Sequence, residues 1–294
     1  MRVILLGAGA SKSYGASPTG QRMPIAMDFF PTFFSLDAAS NPWVLRDGLI
    51  QYLRTEKGIE DTDAYLSAGV DIEEIHSEIA TRLASVEKEA GGIDRIVLSK
   101  PFNQLIFLFA TTLNEIANGP VSKSHIDLAA SLRPDDVVVT FNWDTLMDRA
   151  MIEAAGWSLD DGYGIKPHSV FRDGWNGPAN RRSSNKLIKL HGSVNWLTAH
   201  PIYEGDELVF THALPAESLF VYDYATQPYP THAGRYTGGY APLTYGYYPP
   251  NLIGVPSRSA PDGYVIVKAQ AKMPWMPEGQ AGKEGLPSMP LIIP

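Results

Sequence analysis

Val137-Val138-Val139-Thr140-Phe141-Asn142-Trp143-Asp144 is the stretch that decides the fold. Three valines and a threonine in succession have the composition of a buried strand in a parallel sheet. Asn142 and Asp144 then stand at its carboxyl end, where open α/β sheets bind their ligands. A helical run from Thr145 to Ala155 follows at once. The segment therefore presents an amide and a carboxylate at a strand-to-helix corner.

Two further segments have the same form. Val3 to Leu6 reads as a buried strand, and Gly7-Ala8-Gly9-Ala10-Ser11 follows it directly. Glycines in that place allow a tight turn and a close approach of backbone to a ligand. Lys186 to Leu190 reads as a third strand, ending in His191-Gly192-Ser193. About 130 residues separate the first two strands, where a plain βαβ unit needs roughly 30. The intervening sequence is mostly helical. Residues 18–35 read as a loop and a short buried helix, and Trp43 to Glu56 as a helix. From Asp71 to Glu89, the positions Ile72, Ile75, Ile79, Leu83 and Val86 share one helical face. Asp71 and Glu74 form a capping box for that helix, and Gly91-Gly92 ends it. Asn103 to Ala117 reads as another helix, stopped by Asn118-Gly119-Pro120. The expected fold is α/β: a single domain over residues 1–294 with a Rossmann-like parallel sheet and a helical module inserted at 36–130.

Residues 200–294 form a loop-rich C-terminal part. Strand-like pieces recur at Leu208 to Thr211, Leu219 to Tyr222 and Tyr264 to Val267. Between Ala225 and Pro250 the chain is rich in Tyr, Gly, Pro and Thr, as in a long functional loop or insertion. Pro290-Leu291-Ile292-Ile293-Pro294 reads as the beginning of a strand, so the sheet is expected to be truncated at this end.

Composition narrows the function. With 24 basic and 32 acidic residues the net charge is −8, which argues against general nucleic-acid binding. The absence of cysteine removes a disulfide framework, a thiolate zinc site and a cysteine nucleophile, and fits a cytoplasmic protein. The apolar run at Leu105 to Ala110 is far short of the roughly 18 residues that span a bilayer.

Each candidate has a bland alternative when taken singly. The dinucleotide fingerprint asks for a third glycine where Lys12 stands, and the acid about 20 residues on, Asp28, falls in a helical run, so an ordinary dehydrogenase is disfavoured. The glycines alone fit a plain tight turn. Asn142 and Asp144 alone fit helix caps. His191 alone fits a turn residue, and no other histidine stands at metal-ligand spacing from it, so no metal is expected. The combination is more specific: if the three strands are parallel and adjacent, all three polar ends face one crevice.

In that order and composition, Gly7-Ala8-Gly9-Ala10-Ser11, Thr140-Phe141-Asn142-Trp143-Asp144 and Leu190-His191-Gly192-Ser193 resemble the sirtuin family. They look most like the sirtuin-like domains of bacterial anti-phage defence proteins, which hydrolyse NAD; the resemblance runs from residue 1 to about Leu197. It implies that Gly7 to Ser11 cradle the NAD phosphates. Asn142 would position the nicotinamide ribose and the attacking water, and Asp144 would hold the carboxamide. His191 would accept a proton, a task suited to imidazole. Thr140, Gly192 and Ser193 complete the implied binding set. The implied partners are NAD as substrate and a homo-oligomer or defence-system protein, with no membrane. Phe141 stands where deacylases carry Gln, the four-cysteine zinc module is missing, and the Pro-Asp-Phe-Arg segment has no clear match, although Arg22 lies nearby. Family members also continue into further strands and a Gly-x-Ser turn that this sequence lacks. Three readings stay open: an NAD hydrolase, a module that binds NAD or ADP-ribose without cleaving it, and a deacylase or ADP-ribosyltransferase.

Overall fold

The computed structural model describes residues 1–40, 46–89, 92–171, 175–199, 202–204, 207–210, 219–223, 254–256, 264–266 and 287–293. Strand β1 (Val3–Leu6) runs into a short helix, α1 (Ala8–Lys12). Among the described residues six α-helices follow before the next strand: α2 (Phe29–Phe34), α3 (Asp47–Lys57), α4 (Thr62–Ser67), α5 (Ile72–Glu89), α6 (Gly92–Ala117) and α7 (Lys123–Ala130). Then come β2 (Val137–Thr140), α8 (Leu146–Ala154), β3 (Ser169–Phe171), β4 (Trp175–Asn176), β5 (Lys186–Lys189) and β6 (Gly192–Ala199). The remaining strands are β7 (Ile202–Glu204), β8 (Glu207–Phe210), β9 (Phe220–Tyr222), β10 (Gly254–Pro256), β11 (Tyr264–Ile266) and β12 (Pro287–Ile292).

The chain is α/β, built on a small parallel sheet of order β1-β2-β5. Leu6 pairs with Thr140, and Thr140 with Lys189, so the three strands end level with one another. A second, mixed sheet has the order β12-β6-β9-β3-β4. Its β6 leaves the first sheet through the turn at Leu190 and His191, and β12 pairs antiparallel to it. The Pro290–Pro294 stretch thus contains the end of a paired strand that begins at Pro287. The Ala225–Pro250 stretch lies outside the described residues.

Burial of the parallel strands differs from the sequence expectation. Val138 and Leu187 are fully buried beneath α7 and α8, but Val137, Val139 and Ile188 on the other face are only half-buried. Strand β1 forms the sheet's edge and is covered on one face only: Ile4 and Leu6 are half-buried against the core, while Val3 and Leu5 are 58% and 67% exposed. A run of valines cannot tell a strand covered on both faces from one covered on a single face, because β-branched side chains suit either.

The helices form their own core. The aromatic rings of α2, Phe29, Phe30 and Phe33, pack there with Ile72, Ile75 and Ile79 from α5. Asp71 supplies the N-cap of α5, accepting from the Glu73 and Glu74 N–H groups at 2.8 and 3.4 Å. Helix α6 begins at Gly92, not at Asn103, and carries Pro101 inside it. Every residue from Leu108 to Ala117 is buried, so α6 is covered on all sides, as in a helix at the centre of a core. Packing against α3 and α5 outweighs the one backbone bond that proline removes. Gly92 therefore starts a helix instead of ending one. The helix expected from Trp43 begins at Asp47 and ends at Gly58, whose φ of 67° is the left-handed stop that glycine favours; residues 43–45 lie outside the described set. No helix among the described residues is long and apolar enough to cross a membrane.

Candidate functional site

The three polar strand ends lie together at the carboxyl edge of the parallel sheet. Gly7 follows β1, Phe141 follows β2 and Leu190 follows β5 at the same level. Backbone bonds hold the edge closed: Phe141 N–H donates to Leu6 O at 3.2 Å, and Leu190 N–H to Thr140 O at 3.0 Å.

Gly7 has a φ of −110°, within reach of any residue. A Cβ added at Gly7 or at Gly9 would meet nothing within 4 Å. Neither backbone strain nor packing demands glycine at these two positions. What their small size provides is open space above the turn. Both positions are exposed, so the space above the turn is open.

Asn142 reaches back across this space. Its Nδ2 donates to Gly7 O at 3.0 Å and to Ser11 Oγ at 2.6 Å. The Ser11 hydroxyl in turn donates to Asp144 Oδ2 at 2.5 Å. Asp144 Oδ1 accepts the Leu146 N–H at 2.9 Å, so this carboxylate, one residue before the N-cap Thr145, also satisfies the first N–H of α8. The Thr140 hydroxyl accepts the Asn142 N–H at 3.0 Å and fixes the backbone bend after β2. Asp144 is 7% exposed and both its oxygens already hold internal donors; a carboxamide docking on it would share lone pairs with Ser11 and Leu146.

His191 lies on the turn two residues past the level of Thr140 and Lys189. Its ring meets Phe141 edge-on, with centroids 5.6 Å apart. Gly192 follows with φ +75°, and a Cβ there would stand 2.0 Å from Leu291 O. The turn is braced from β12 by the Ile293 N–H, which donates to His191 O at 3.0 Å. Ser193 Oγ is buried and donates to Asn195 Oδ1 at 2.6 Å. Asn195 Nδ2 donates to Tyr163 Oη at 3.1 Å, and Tyr163 Oη to Asp148 Oδ1 at 2.5 Å. Lys189 Nζ completes the network, 3.1 Å from Asp148 Oδ2 and 2.5 Å from Asp144 O. Burial, with the Asp148 charge beside it, pushes the Tyr163 hydroxyl well above its ordinary pKa, so it is a proton donor at any physiological pH. Ser193 thus serves the scaffold beneath the turn.

A cleft of about 470 Å³, open to solvent, lies between this sheet edge and the helical core. Ala8, Ser11, Phe141, Asn142, Trp143 and Asp144 form its sheet side. Phe29, Ile72, Phe109 and Leu113 form an apolar wall opposite, joined by the 23–26 segment and Glu73. Gly7, Gly9, Ala10, Thr140, His191, Gly192 and Ser193 are not among its lining residues. Among the described residues its lining carries two carboxylates, Glu73 and Asp144, and no cationic side chain. The enclosed part of the cleft is about 50 Å³, well short of the ~300–1,000 Å³ of small-molecule pockets, so it is a shallow groove that takes one end of a ligand and leaves the rest outside.

Sequence reasoning missed the helical wall, because nothing in the spacing of Phe29, Ile72, Glu73 and Phe109 shows that they converge. It also passed over His125, which is buried with its Nδ1 2.7 Å from Ser122 Oγ. Burial lowers its pKa, while the nearby Asp144 and Asp148 charges pull the other way. Lys12 and Asp28, which fail the dinucleotide fingerprint, form an ion pair with each other. Among the described residues no group of three or more His, Asp or Glu could hold a metal ion. In comparisons with known proteins, no family model matches the chain and no curated protein matches it.

Proposed function

We propose that the chain is a sirtuin-like NAD hydrolase with a Rossmann-like core, cleaving NAD to nicotinamide and ADP-ribose. The observation that carries this reading is the hydrogen-bonded convergence of Gly7, Ser11, Asn142 and Asp144 at the carboxyl ends of adjacent parallel strands. Glycines that neither strain nor packing requires leave room at that place for a phosphate-bearing ligand.

The charge of the cleft supports an orientation. Two carboxylates and no cation favour a positively charged group and disfavour a diphosphate. The oxidised nicotinamide ring is flat, aromatic and cationic, so it suits a cleft with aromatic and acidic lining. The diphosphate then falls at its rim, over Gly7, Gly9 and Ala10, which do not line it. In the reaction, the bond between nicotinamide and ribose C1′ breaks and nicotinamide leaves with the electron pair as a neutral molecule. Water forms the new bond to C1′ and releases one proton, which His191 would accept. The oxocarbenium-like charge developing at C1′ is of the sign that this acid-lined cleft stabilises. The same reading places the protein in the cytoplasm, in anti-phage defence by NAD depletion, as a homo-oligomer or with a defence-system partner.

A second reading, binding of NAD or ADP-ribose without cleavage, is favoured by one observation: His191 is not among the residues lining the cleft. The test is nicotinamide release by the purified chain, beside Asn142→Ala and His191→Ala. Turnover lost in both variants supports hydrolysis. Tight binding by calorimetry with no nicotinamide release supports the second reading, and turnover untouched by both substitutions overturns the mechanism.

A further inference from the structure

Asn142 is tied by its nitrogen, and this settles which end of its amide a ligand meets. Both Nδ2 protons are committed, one to Gly7 O and one to Ser11 Oγ. The Ser11 hydroxyl has a single proton, and it goes to Asp144 Oδ2 at 2.5 Å. Ser11 can therefore only accept from Asn142. Asp144 is itself locked by the Leu146 N–H. Turning the amide over would set Asn142 Oδ1 against the carbonyl oxygen of Gly7, two acceptors at hydrogen-bond distance. It would also ask Ser11 for a second proton that it does not have. The direction of every bond in the chain Leu146 to Asp144 to Ser11 to Asn142 is thus fixed by its neighbour. Asn142 lines the cleft, and its Oδ1 is left to accept.

We propose that Ser11 is a positioning residue that presents Asn142 to the cleft as a hydrogen-bond acceptor, so that the group docked on it is a donor, a ribose hydroxyl or a water molecule, and not a carbonyl or phosphate oxygen. The part that concerns ribose and water rests on the NAD reading above. The part that concerns Ser11 and the amide stands without it. Ser11 lines the cleft, but its hydroxyl is held between Asn142 and Asp144 and acts on the ligand through Asn142. Its hydroxyl is buried, 4% exposed, so solvent does not replace the bond when it is removed.

The experiment has two arms on the full chain. In the first, the Asn142 side-chain NH2 pair is assigned by ¹⁵N–¹H NMR through its loss in Asn142→Ala, and its solvent exchange is measured in the parent, Ser11→Ala and Ser11→Thr. The expected result is a slowly exchanging pair in the parent, exchange at least about tenfold faster in Ser11→Ala, and recovery in Ser11→Thr, which keeps the hydroxyl. In the second arm, Ser11→Ala lowers kcat for NAD by about tenfold or more with KM moved less than about threefold, and Ser11→Thr restores most of it. Should Ser11→Ala fail to fold, Ser11→Cys, close in shape and a poor hydrogen bonder, shows the same direction in both arms. Exchange in Ser11→Ala within about twofold of the parent overturns the proposal. If the parent chain neither binds nor cleaves NAD, the functional reading falls, and the exchange arm still decides the role of Ser11.

Discussion

The Asn142 side-chain amide and the Gly7 carbonyl, 135 positions apart in the chain, meet at 3.0 Å. This bond joins the ends of two parallel strands across the space where the ligand is proposed to sit. Asn142→Ala removes it together with the bond to Ser11. The structural cost is modest, about 1 kcal/mol, because the site is partly open to water. The functional cost is larger: nicotinamide release is expected to fall by about 10²-fold or more. Asn142→Asp is no rescue, since it sets a carboxylate oxygen against Gly7 O. Urea midpoints beside turnover rates check both halves, and a variant that loses stability and activity in the same small proportion would count against a direct role.

The strand ends were legible in the sequence because each couples a β-branched or aliphatic run to a small or polar corner. Val137 to Asp144 and Lys186 to Ser193 carry that signature in their own residues. Side-by-side parallel pairing was an inference from the shared form, and the register of Leu6, Thr140 and Lys189 bears it out. The open face of β1 was not legible, since burial depends on what packs over Val3 and Leu5. The cleft wall was hidden for a similar reason: Phe29, Ile72 and Phe109 come from three helices, and no local pattern encodes their meeting. Strand β6 was lost behind His191-Gly192-Ser193, which reads as a terminus when it is a corner between two sheets.

The corner makes Gly192 more demanding than Gly7 or Gly9. Its φ is +75°, and a Cβ would stand 2.0 Å from Leu291 O. Gly192→Ala combines a left-handed backbone penalty of roughly 1–2 kcal/mol with a clash against the β12 backbone. A total loss above about 2 kcal/mol is expected. Gly9→Ala, at a position with open space around it, is expected to cost less than about 1 kcal/mol while weakening ligand binding. Thermal melts with and without NAD separate the two glycines by cause.

Lys189 and Lys123 offer a paired test of where an ion pair matters. Lys189 and Asp148 are 3.1 Å apart with side chains 0% and 3% exposed. Lys189→Ala leaves Asp148 buried and short of its counter-charge, at an expected cost of ~3–5 kcal/mol. The Lys123–Asp127 pair has a similar separation of 3.0 Å but is 87% and 63% exposed. Lys123→Ala is expected to stay within about 0.5 kcal/mol of the parent. Comparable urea midpoints for the two variants would contradict the network described beneath the His191 turn.

His76 gives the fold a defined response to acid. It is fully buried, with no hydrogen-bond partner for either ring nitrogen among the described residues. Phe102 stacks on it at 5.2 Å and Phe109 meets it edge-on at 5.5 Å. Burial lowers its pKa to about 4 from 6.5. The folded state therefore holds the neutral ring where the unfolded chain already binds a proton. Stability from this source is complete above about pH 6.5 and falls as pH drops towards 4, by on the order of 3 kcal/mol in all. His125, lowered by burial as well, adds to the same trend. His76→Leu is expected to flatten most of the slope in urea midpoints between about pH 6.5 and 4.5. An unchanged slope would mean that the ring does not stay neutral on folding.

Glu73 provides the sharpest check on how the cleft is charged. It comes from the first turn of α5 and lines the side opposite Asn142. With Asp144 it makes the cleft acidic, and among the described residues no Lys, Arg or His lines the space to offset it. A cationic nicotinamide ring gains from that field, and the neutral ring of NADH does not. Glu73→Gln keeps the shape and removes the charge. It is expected to weaken NAD binding by about two- to fivefold, the scale of a partly solvated charge pair. NADH binding is expected to stay within about 1.5-fold, so that the preference between the two forms narrows. Added salt should weaken NAD binding to the parent more than to the variant, since screening acts on the charge that the variant lacks. Equal weakening of NAD and NADH would show that Glu73 acts through shape. No weakening of either would mean that the nicotinamide end lies elsewhere, and the acid-lined cleft would then cease to support the orientation on which the hydrolase reading relies.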